Sequence, residues 1–155
     1  MDDIFFMRAA LEEAMLAMSG GEIPVGAVLV YRGEIIGRGG NERSIKIMPF
    51  AHAEMTALSE AGKKIGSWRF DDCTLYVTLE PCPMCAGAII QTRVSRVVYG
   101  ARDPRAGAAG TLYDILRDPR MPHRCRVTSG VLGSECAELL QKFFRTRRAE
   151  RHTGG

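Results

Sequence analysis

The chain of 155 residues is 46% hydrophobic and 25% charged, and it carries a formal net charge of +3. These values are typical of a globular protein and exclude a disordered chain, and the length predicts a single domain over residues 1–155. No segment approaches the about 20 consecutive apolar residues of a membrane-spanning helix. The N-terminus lacks the basic start and apolar run of a secretory signal. We therefore expect a cytoplasmic protein with no membrane partner.

The N-terminal part of the chain is predicted to form a helix followed by a hairpin. Apolar residues at helical spacing predict an amphipathic helix over residues 4–18 that ends at Ser19-Gly20-Gly21. Its apolar residues are Ile4, Phe5, Leu11, Met15 and Met18. Two β-rich runs, 26–31 and 34–37, flank Arg32-Gly33 and predict a hairpin. Gly39-Gly40-Asn41 is predicted to begin a loop.

Helices and strands alternate in the remainder of the chain. A helix is predicted over residues 51–61, with His52 and Glu54 in its first turn, and a β-rich run over 74–79 leads directly into Cys82 and Cys85 at the start of a third helix. Strands at 96–100 and 126–131, a loop at 103–110 and a helix at 135–147 follow. This alternation predicts an α/β domain of three layers, with helices on both faces of a central mixed five-stranded sheet.

The five cysteines do not indicate a disulfide framework, because their number is odd and their spacing is unequal. Cys73, Cys125 and Cys136 stand singly among apolar residues, and we interpret them as small buried side chains without a further role. Only Cys82 and Cys85 form a close pair. Metal binding or a reactive thiol is therefore the better interpretation of this pair.

His52 and Glu54 together with Cys82 and Cys85 form the strongest local signal in the chain. Each part alone is weak, because a Cys-x-x-Cys pair can be a redox pair or half of a structural zinc site. A closed structural site needs four protein ligands, and the chain offers no second such pair. The other histidines, His123 and His152, lie in a proline-flanked loop and in the C-terminal tail. Three ligands would leave one position of the metal open.

Charge suggests what Glu54 does beside such a metal. Two thiolates and a neutral imidazole cancel the charge of a zinc ion, so the ion polarises its water less than a site made of histidines does. A nearby base is then needed, and Glu54 can accept the proton of the water and return protons to the substrate. His52 and Glu54 point in different directions around a helix, so both can reach a metal only at the helix end.

The pairing of His-x-Glu with Pro-Cys-x-x-Cys resembles the signature of the zinc-dependent cytidine and adenosine deaminases. Further runs closely resemble the bacterial tRNA-specific adenosine deaminases, and the likeness covers most of the chain. These runs are Pro24-Val25-Gly26-Ala27-Val28, Ala51-His52-Ala53-Glu54, the residues 74–82, Met84-Cys85-Ala86-Gly87-Ala88, Gly100-Ala101-Arg102-Asp103 and Phe143-Phe144-Arg145. The resemblance implies a cytidine-deaminase-like fold.

The same resemblance implies hydrolytic deamination of adenosine to inosine at the wobble position of a tRNA anticodon, by a homodimer with one Zn²⁺ per subunit. Water activated by the zinc would attack C6, with Glu54 as the proton shuttle and His52, Cys82 and Cys85 as the zinc ligands. The other matched positions concern the anticodon stem-loop. Asn41 would contact the flipped base, Asp103 would lie near the ribose, Phe144 and Arg147 would border the anticodon loop, and Arg105 would pair with phosphate where the family often has Lys.

Two positions depart from the family pattern. Met48 and Phe50 stand where the family often has Asp and Thr, which removes polar groups near the substrate pocket.

A basic C-terminal tail could hold phosphates, although such a run is more commonly a solvated helix end. Its basic residues are Lys142, Arg145, Arg147, Arg148 and Arg151.

Other interpretations of the same residues stay open. Asn41 after two glycines and Asp103 before a proline are also typical turn residues. A deaminase of a free base or nucleoside, such as guanine or cytidine, would share the zinc signature. An RNA-binding module with a structural zinc and no activity is the alternative from a different class, and ammonia release would exclude it.

Overall fold

The computed structural model of the chain describes residues 2–44 and 46–153, the last two of these in backbone only. The described residues form four helices and five strands, and the sequence predicted each of these elements. In chain order they are α1 (Asp3–Ser19), β1 (Gly26–Tyr31), β2 (Glu34–Gly40), α2 (Ala53–Ile65), β3 (Cys73–Leu79), α3 (Pro83–Gln91), β4 (Arg96–Ala101), β5 (Arg126–Ser129) and α4 (Gly133–Thr153). No helix in this part of the chain has the length and apolar character needed to cross a membrane.

The five strands form one mixed sheet in the order β2-β1-β3-β4-β5. Strand β1 pairs antiparallel with both β2 and β3, whereas β3, β4 and β5 run parallel. The register places Gly40 opposite Gly26, and Leu79 opposite Ala101. The carboxyl ends of β2, β3 and β4 therefore lie at the same edge of the sheet, which we call the carboxyl edge.

The two faces of the sheet are covered by different helices, as the alternation of side chains along a strand requires. Ala27 and Leu29 of β1 belong to the core beneath α2 and α3. Val28 and Val30 belong to a second core beneath α1 and α4. The predicted three-layer α/β fold with helices on both faces of a mixed five-stranded sheet is confirmed.

The predicted apolar face of α1 is confirmed at Leu11 and wrong at Ile4, Phe5 and Met15, although the helix itself is confirmed. Ile4, Phe5 and Met15 are 53%, 61% and 47% exposed. The residues of α1 that are buried are Phe6, Met7, Ala10, Leu11, Ala14 and Ala17. Alanines face the sheet because α1 lies directly against β1, where Gly26 has no room for a Cβ beside the Ala10 carbonyl oxygen. Large side chains were expected there, but small ones allow the close approach.

Several predicted boundaries also shift. Gly39 and Gly40 continue β2 instead of beginning a loop, because their pairing with β1 overrides their turn preference. Strand β5 ends at Ser129, before the predicted residue 131. Helix α4 is longer than the predicted 135–147, because the charged residues and alanine that follow are good helix formers. Helix α2 covers Ala53–Ile65, so that His52 precedes it rather than lying in its first turn.

A half-buried ion pair fastens the start of α1 to the sheet. The Arg96 guanidinium donates to both carboxylate oxygens of Asp3, at 2.9 and 2.8 Å, and the Tyr76 hydroxyl donates to Asp3 Oδ1 at 2.7 Å. Arg96 also donates to Thr128 on β5. The hydrogen bond from Arg96 lowers the pKa of the Asp3 carboxyl below its ordinary value of 3.8. The Asp3 carboxylate thus joins α1 directly to β3 and β4, and Arg96 extends the connection to β5.

We predict that Asp3→Asn lowers the free energy of unfolding by about 2 kcal/mol, because it weakens charge-assisted bonds and disturbs the buried Tyr76 hydroxyl. Urea unfolding of parent and variant measures the difference. Folding lowers the pKa of the Asp3 carboxyl. The contribution of its ionised form to the free energy of unfolding is therefore complete above pH 3.8, and it is lost as the pH falls through the pKa of the folded state. Asp71→Asn, which removes an exposed pair with Arg69, should change stability little.

Candidate metal centre

His52, Cys82 and Cys85 are positioned by the N-termini of two helices at the carboxyl edge of the sheet. His52 is the N-cap residue of α2, and Cys82 is the N-cap residue of α3, which begins with Pro83. Cys85 lies in the first turn of α3 and is buried. Both caps have extended backbone, so their side chains leave the helix start rather than the helix side. The N-termini of α2 and α3 thus meet at this edge, and His52 reaches the cysteines from the end of its helix, as the sequence predicted.

The distances between the three side chains suit a metal ion. His52 Nδ1 lies 3.5 Å from Cys85 Sγ and 3.7 Å from Cys82 Sγ, and the three ligand atoms all lie within 4.8 Å of one another. Tetrahedral zinc bonds place a nitrogen and a sulfur ligand about 3.6 Å apart. The cluster can therefore hold a tetrahedral ion with one position left for a small molecule. In the part of the chain that is described, this is the one metal-capable group of His, Cys, Asp and Glu.

Cys73, Cys125 and His123 lie away from this edge, whereas Cys136 packs against Gly100 near the end of β4, in the core beneath α1 and α4. His123 Nε2 bonds the Val94 carbonyl oxygen at 2.7 Å, and the Cys125 thiol donates to the same oxygen at 3.0 Å, at the opposite end of β4. The side chain of His152 lies outside the described residues. Cys73, Cys125 and Cys136 are buried, and burial raises their pKa to about 11, 12 and 12. The interpretation of these three as buried side chains is confirmed.

Hydrogen bonds link the side chains of His52, Cys82 and Cys85. A hydrogen bond from Cys85, followed by the contact with His52, lowers the pKa of Cys82 to about 4. The pKa of Cys85 is raised, first because its thiol is the donor to Cys82 and then by burial. The hydrogen bond with Cys82 raises the pKa of His52. A metal ion would replace these protons, since thiolates and neutral imidazole are the forms that coordinate.

Glu54 lies in the first turn of α2 and is only 4% exposed. Burial raises the pKa of its carboxyl to about 7, and the neighbouring Cys82 charge raises it further against the opposing effect of His52. A carboxyl group with a pKa near neutrality can both take and return a proton. Its environment is thus compatible with the predicted shuttle, which stays a prediction.

Asn41 follows the last residue of β2 and is buried. Its Oδ1 accepts a hydrogen bond from the backbone N–H of Ala53 at 2.8 Å, which satisfies one free donor at the start of α2. The side chain does more than form a turn, because this bond sets the orientation of the amide beside His52. With Arg43, Asn41 also lines a cavity of about 350 Å³.

Arg147 connects that cavity with a groove of about 800 Å³ between the end of α1 and α4, because it lines both. Its guanidinium donates to the Gly21 carbonyl oxygen at 2.9 Å and lies 5.0 Å above the Phe143 ring. Phe143 is 8% exposed and Phe144 is 40% exposed. Phe143 therefore faces the core, whereas Phe144 is open to solvent. The contact of Phe144 with an anticodon stays a prediction.

Asp103 begins a turn after β4, as its position before Pro104 suggests. Its Oδ1 accepts from the backbone N–H groups of Arg105 at 2.9 Å and Ala106 at 3.3 Å. The Arg105 side chain is exposed. Asp103 therefore shapes the loop itself, while its contact with a ribose and the phosphate contact of Arg105 stay predictions.

Met48 and Phe50 are both exposed and line a surface depression along α2 together with Met55. The departures from the family pattern thus change the surface ahead of His52 and leave the core intact.

Two charged residues near the ligands were not singled out from the sequence. Arg43 lies close enough to His52 to act on the pKa of the imidazole, and it lines the cavity beside Asn41. Glu80 is a buried acid at the end of β3, two residues before Cys82. The sequence did contain one signal for Glu80, because a charged residue directly follows the run of strand residues 74–79.

Comparison with known proteins agrees with the resemblance seen in the sequence. Residues 1–148 match the family described as MafB19-like deaminase. The chain is 50% identical over 149 residues to the tRNA-specific adenosine deaminase of Bacillus subtilis, covering 96% of this chain and 92% of the relative. It is 50% identical over 146 residues to the enzyme of that name from Haemophilus influenzae, covering 94% and 84%.

Solved structures show the same relationship. A chain from a study of A-to-I editing by tRNA:A34 deaminases at the wobble position of transfer RNA superposes with a TM-score of 0.85, with 43% identity over 88% of this chain and 99% of that one. A guanine deaminase from Bacillus subtilis has a TM-score of 0.65, with 42% identity over 72% and 71%. This chain belongs to the MafB19-like deaminase family and, within it, to the tRNA-specific adenosine deaminases.

Proposed function

We propose that the protein hydrolyses adenosine to inosine at the wobble position of a tRNA anticodon, in the cytoplasm, as a homodimer with one zinc ion per subunit. The observation that carries this proposal is the approach of His52, Cys82 and Cys85 at metal-ligand distances beside the buried carboxyl of Glu54. A closed structural site would not need an ionisable carboxyl buried next to its ligands. A hydrolytic site does.

The ligand set favours zinc among the metals available in cells. Two thiolates and an imidazole in tetrahedral arrangement suit zinc, and three protein ligands are typical of catalytic rather than structural sites. A zinc ion bound there would supply Lewis-acid activation of the attacking water. The positive ends of α2 and α3 would add to the stabilisation of the thiolates.

Glu54 would move the protons of the reaction. It takes one proton from the water as the oxygen adds to C6 and passes it to the ring nitrogen. It then takes the second proton from the new hydroxyl on C6 and passes it to the departing amine, so that ammonia leaves and inosine remains. A pKa of about 7 suits both directions of transfer. The backbone N–H of Ala53 holds the Asn41 amide beside the site, where it can orient the base.

The surroundings of the site suit a base presented by a single-stranded RNA loop. A loop base is already unstacked, so that little pairing energy opposes its entry into a pocket. Arg43 and Arg147 line the adjoining cavity, and further basic side chains continue along α4. Such a surface can hold the phosphates that flank the target base. The curated relatives named above support tRNA as the source of that loop.

The second candidate function is deamination of a free base. It is favoured by the similarity of this chain to a guanine deaminase from Bacillus subtilis. The same zinc chemistry would serve either substrate. The full-length match with tRNA-specific relatives makes tRNA the preferred substrate.

Mass analysis of nucleosides from tRNA before and after incubation with the protein tests the proposal. We expect inosine at the wobble position of a tRNA that carries adenosine there. Deamination of free guanine or cytidine without inosine in tRNA would establish the second candidate. A protein that binds tRNA and releases no ammonia would be a binding module, and the proposal would be wrong.

We predict that Glu54→Gln retains its zinc but forms inosine at least about 100-fold more slowly, because general acid and base catalysis is lost. Metal analysis and single-turnover assays on an anticodon stem-loop measure both properties. Glu60→Gln, an exposed change on the same helix, serves as the matched control and should retain the parent rate. A Glu54→Gln variant that works at the parent rate would remove Glu54 from the mechanism.

Loss of one thiolate should abolish both zinc and activity. We predict that Cys82→Ala is isolated with less than one zinc ion per chain and forms no inosine, since two ligands do not retain the ion through purification. Cys73→Ala removes a buried thiol at the opposite end of β3 and should keep its full zinc content. Equal zinc content in Cys82→Ala and the parent would contradict the assigned ligand set.

The basic end of α4 should contribute to tRNA affinity rather than to chemistry. We predict that Arg148→Ala weakens binding and lowers the slope of log Kd against log salt by about one, as expected when one phosphate contact is lost. Filter binding at several salt concentrations measures the slope. Arg32→Ala removes an equal charge at the β1–β2 turn, away from the carboxyl edge, and should leave the slope unchanged. Identical slopes for both variants would exclude the tail from the interface.

A further inference from the structure

Glu80 is a carboxylate buried in the interior of the domain, with 2% of its surface exposed. It follows Leu79, the last residue of β3, and precedes the Pro81-Cys82 step that leads to the metal centre. A charged group in such a position is unfavourable unless hydrogen bonds replace the lost water. The partners of Glu80 therefore indicate what the residue is there to hold.

All side-chain partners of Glu80 lie in the loop 103–111 that follows β4. The backbone N–H of Asp103 donates to Oε1 at 3.1 Å. The N–H groups of Ala109 and Thr111 donate to Oε2 at 3.0 and 3.1 Å. The Thr111 hydroxyl donates to Oε1 as well. A single carboxylate thus accepts four hydrogen bonds from both ends of one loop.

The backbone beside Glu80 adds one hydrogen bond to β4 and one to the loop. The N–H of Glu80 donates to the Ala101 carbonyl oxygen at 2.9 Å, and the N–H of Ala108 donates to the Pro81 carbonyl oxygen at 2.8 Å. The loop is therefore fastened to the two residues that immediately precede Cys82. Its position is tied to the same stretch of backbone that places a metal ligand.

Gly107 shows how closely the loop packs on this carboxylate. A Cβ at Gly107 would lie 2.6 Å from both Cδ and Oε1 of Glu80 and 2.6 Å from the Asp103 carbonyl oxygen. Backbone and a fully bonded carboxylate cannot move aside cheaply. The loop can therefore take this position only with glycine at 107.

The number of hydrogen-bond donors around Glu80 explains why this position needs a carboxylate. Four donors converge on two oxygens, and every donor requires an acceptor. A glutamine would offer one oxygen and would turn its NH₂ group towards N–H groups of the loop. The change is small in volume but would leave buried donors unpaired.

We propose that Glu80 is a positioning residue that fixes the loop 103–111, with Asp103 and Arg105, relative to Cys82 and so sets the binding of the substrate. This inference rests on the proposed function, because it assigns that loop to the nucleic-acid substrate. Glu80 does not touch the reacting atoms. It acts through the loop, so its effect should fall on KM more than on kcat.

The test compares Glu80→Gln and Gly107→Ala, which disturb the same contact from its two sides, with Glu138→Gln, an exposed change on α4. Zinc content, kcat and KM on an anticodon stem-loop, and amide hydrogen exchange at residues 109 and 111 are measured. We expect a zinc content equal to that of the parent, faster exchange, and a KM raised by about tenfold, the factor that corresponds to one lost hydrogen bond. Glu138→Gln should match the parent.

Two results would overturn the proposal. Unchanged KM and unchanged exchange in Glu80→Gln would show that the carboxylate does not set the loop. Loss of zinc with an intact loop would show that Glu80 serves the metal centre instead. If Glu80→Gln does not fold, Thr111→Val and Thr111→Ser provide the same comparison, because only the serine keeps the hydroxyl donor. KM must then rise in the valine variant and return towards the parent value in the serine variant.

Failure of the proposed function gives a different result from failure of this inference. A parent protein that forms no inosine would contradict the proposed function. The anchoring of the loop by Glu80 is then judged by amide exchange alone, and unchanged exchange in Glu80→Gln overturns it.

Discussion

Three donor atoms from two separate helices have to meet around one point, and this requirement shapes the arrangement of the sheet. His52 faces Cys82 and Cys85 only because α2 and α3 begin at the same edge. The antiparallel β1 lies between β2 and β3, which brings the ends of those two strands to that edge. The parallel β4 then delivers the loop after residue 101 to the same place. If β2, β3 or β4 ran in the opposite direction, its carboxyl end would lie at the other edge of the sheet, away from the metal centre.

The negative charge of the side chains at this site is a second constraint on the structure. Two thiolates and the Glu54 carboxylate would concentrate negative charge in a region from which water is largely excluded, and such a group needs compensation. The starts of α2 and α3 provide part of it through their unpaired backbone N–H groups. The Asn41 side chain accepts a hydrogen bond from the Ala53 N–H at the start of α2. The N-terminus of α2 is therefore capped by Asn41 and also faces the metal centre. Burial is the main reason why the pKa of Glu54 is raised, and the charge of Cys82 acts in the same direction.

The sequence predicted the elements, the ligands and the family, because each leaves a pattern in residue type and spacing. It did not predict the buried face of α1, since the sheet there accepts alanine rather than the larger Ile4 and Phe5. It placed His52 inside a helix because periodicity does not distinguish a cap from a first turn. The role of Glu80 could not be foreseen, because three of its four donors are backbone N–H groups of a distant loop, which leave no signal in the pattern of side chains.

The carboxyl edge gathers residues 41, 52–54, 80–85 and 103, which are widely separated along the chain. The pairing of β1, β3 and β4 brings them together, so these contacts depend on the assembled sheet. A cation bound there would favour the folded chain over the unfolded one, in which the three ligands are far apart. Its free concentration would then contribute to the denaturation midpoint of the whole domain, through mass action. The edge that gathers the ligands would thereby make conformational stability depend on metal supply.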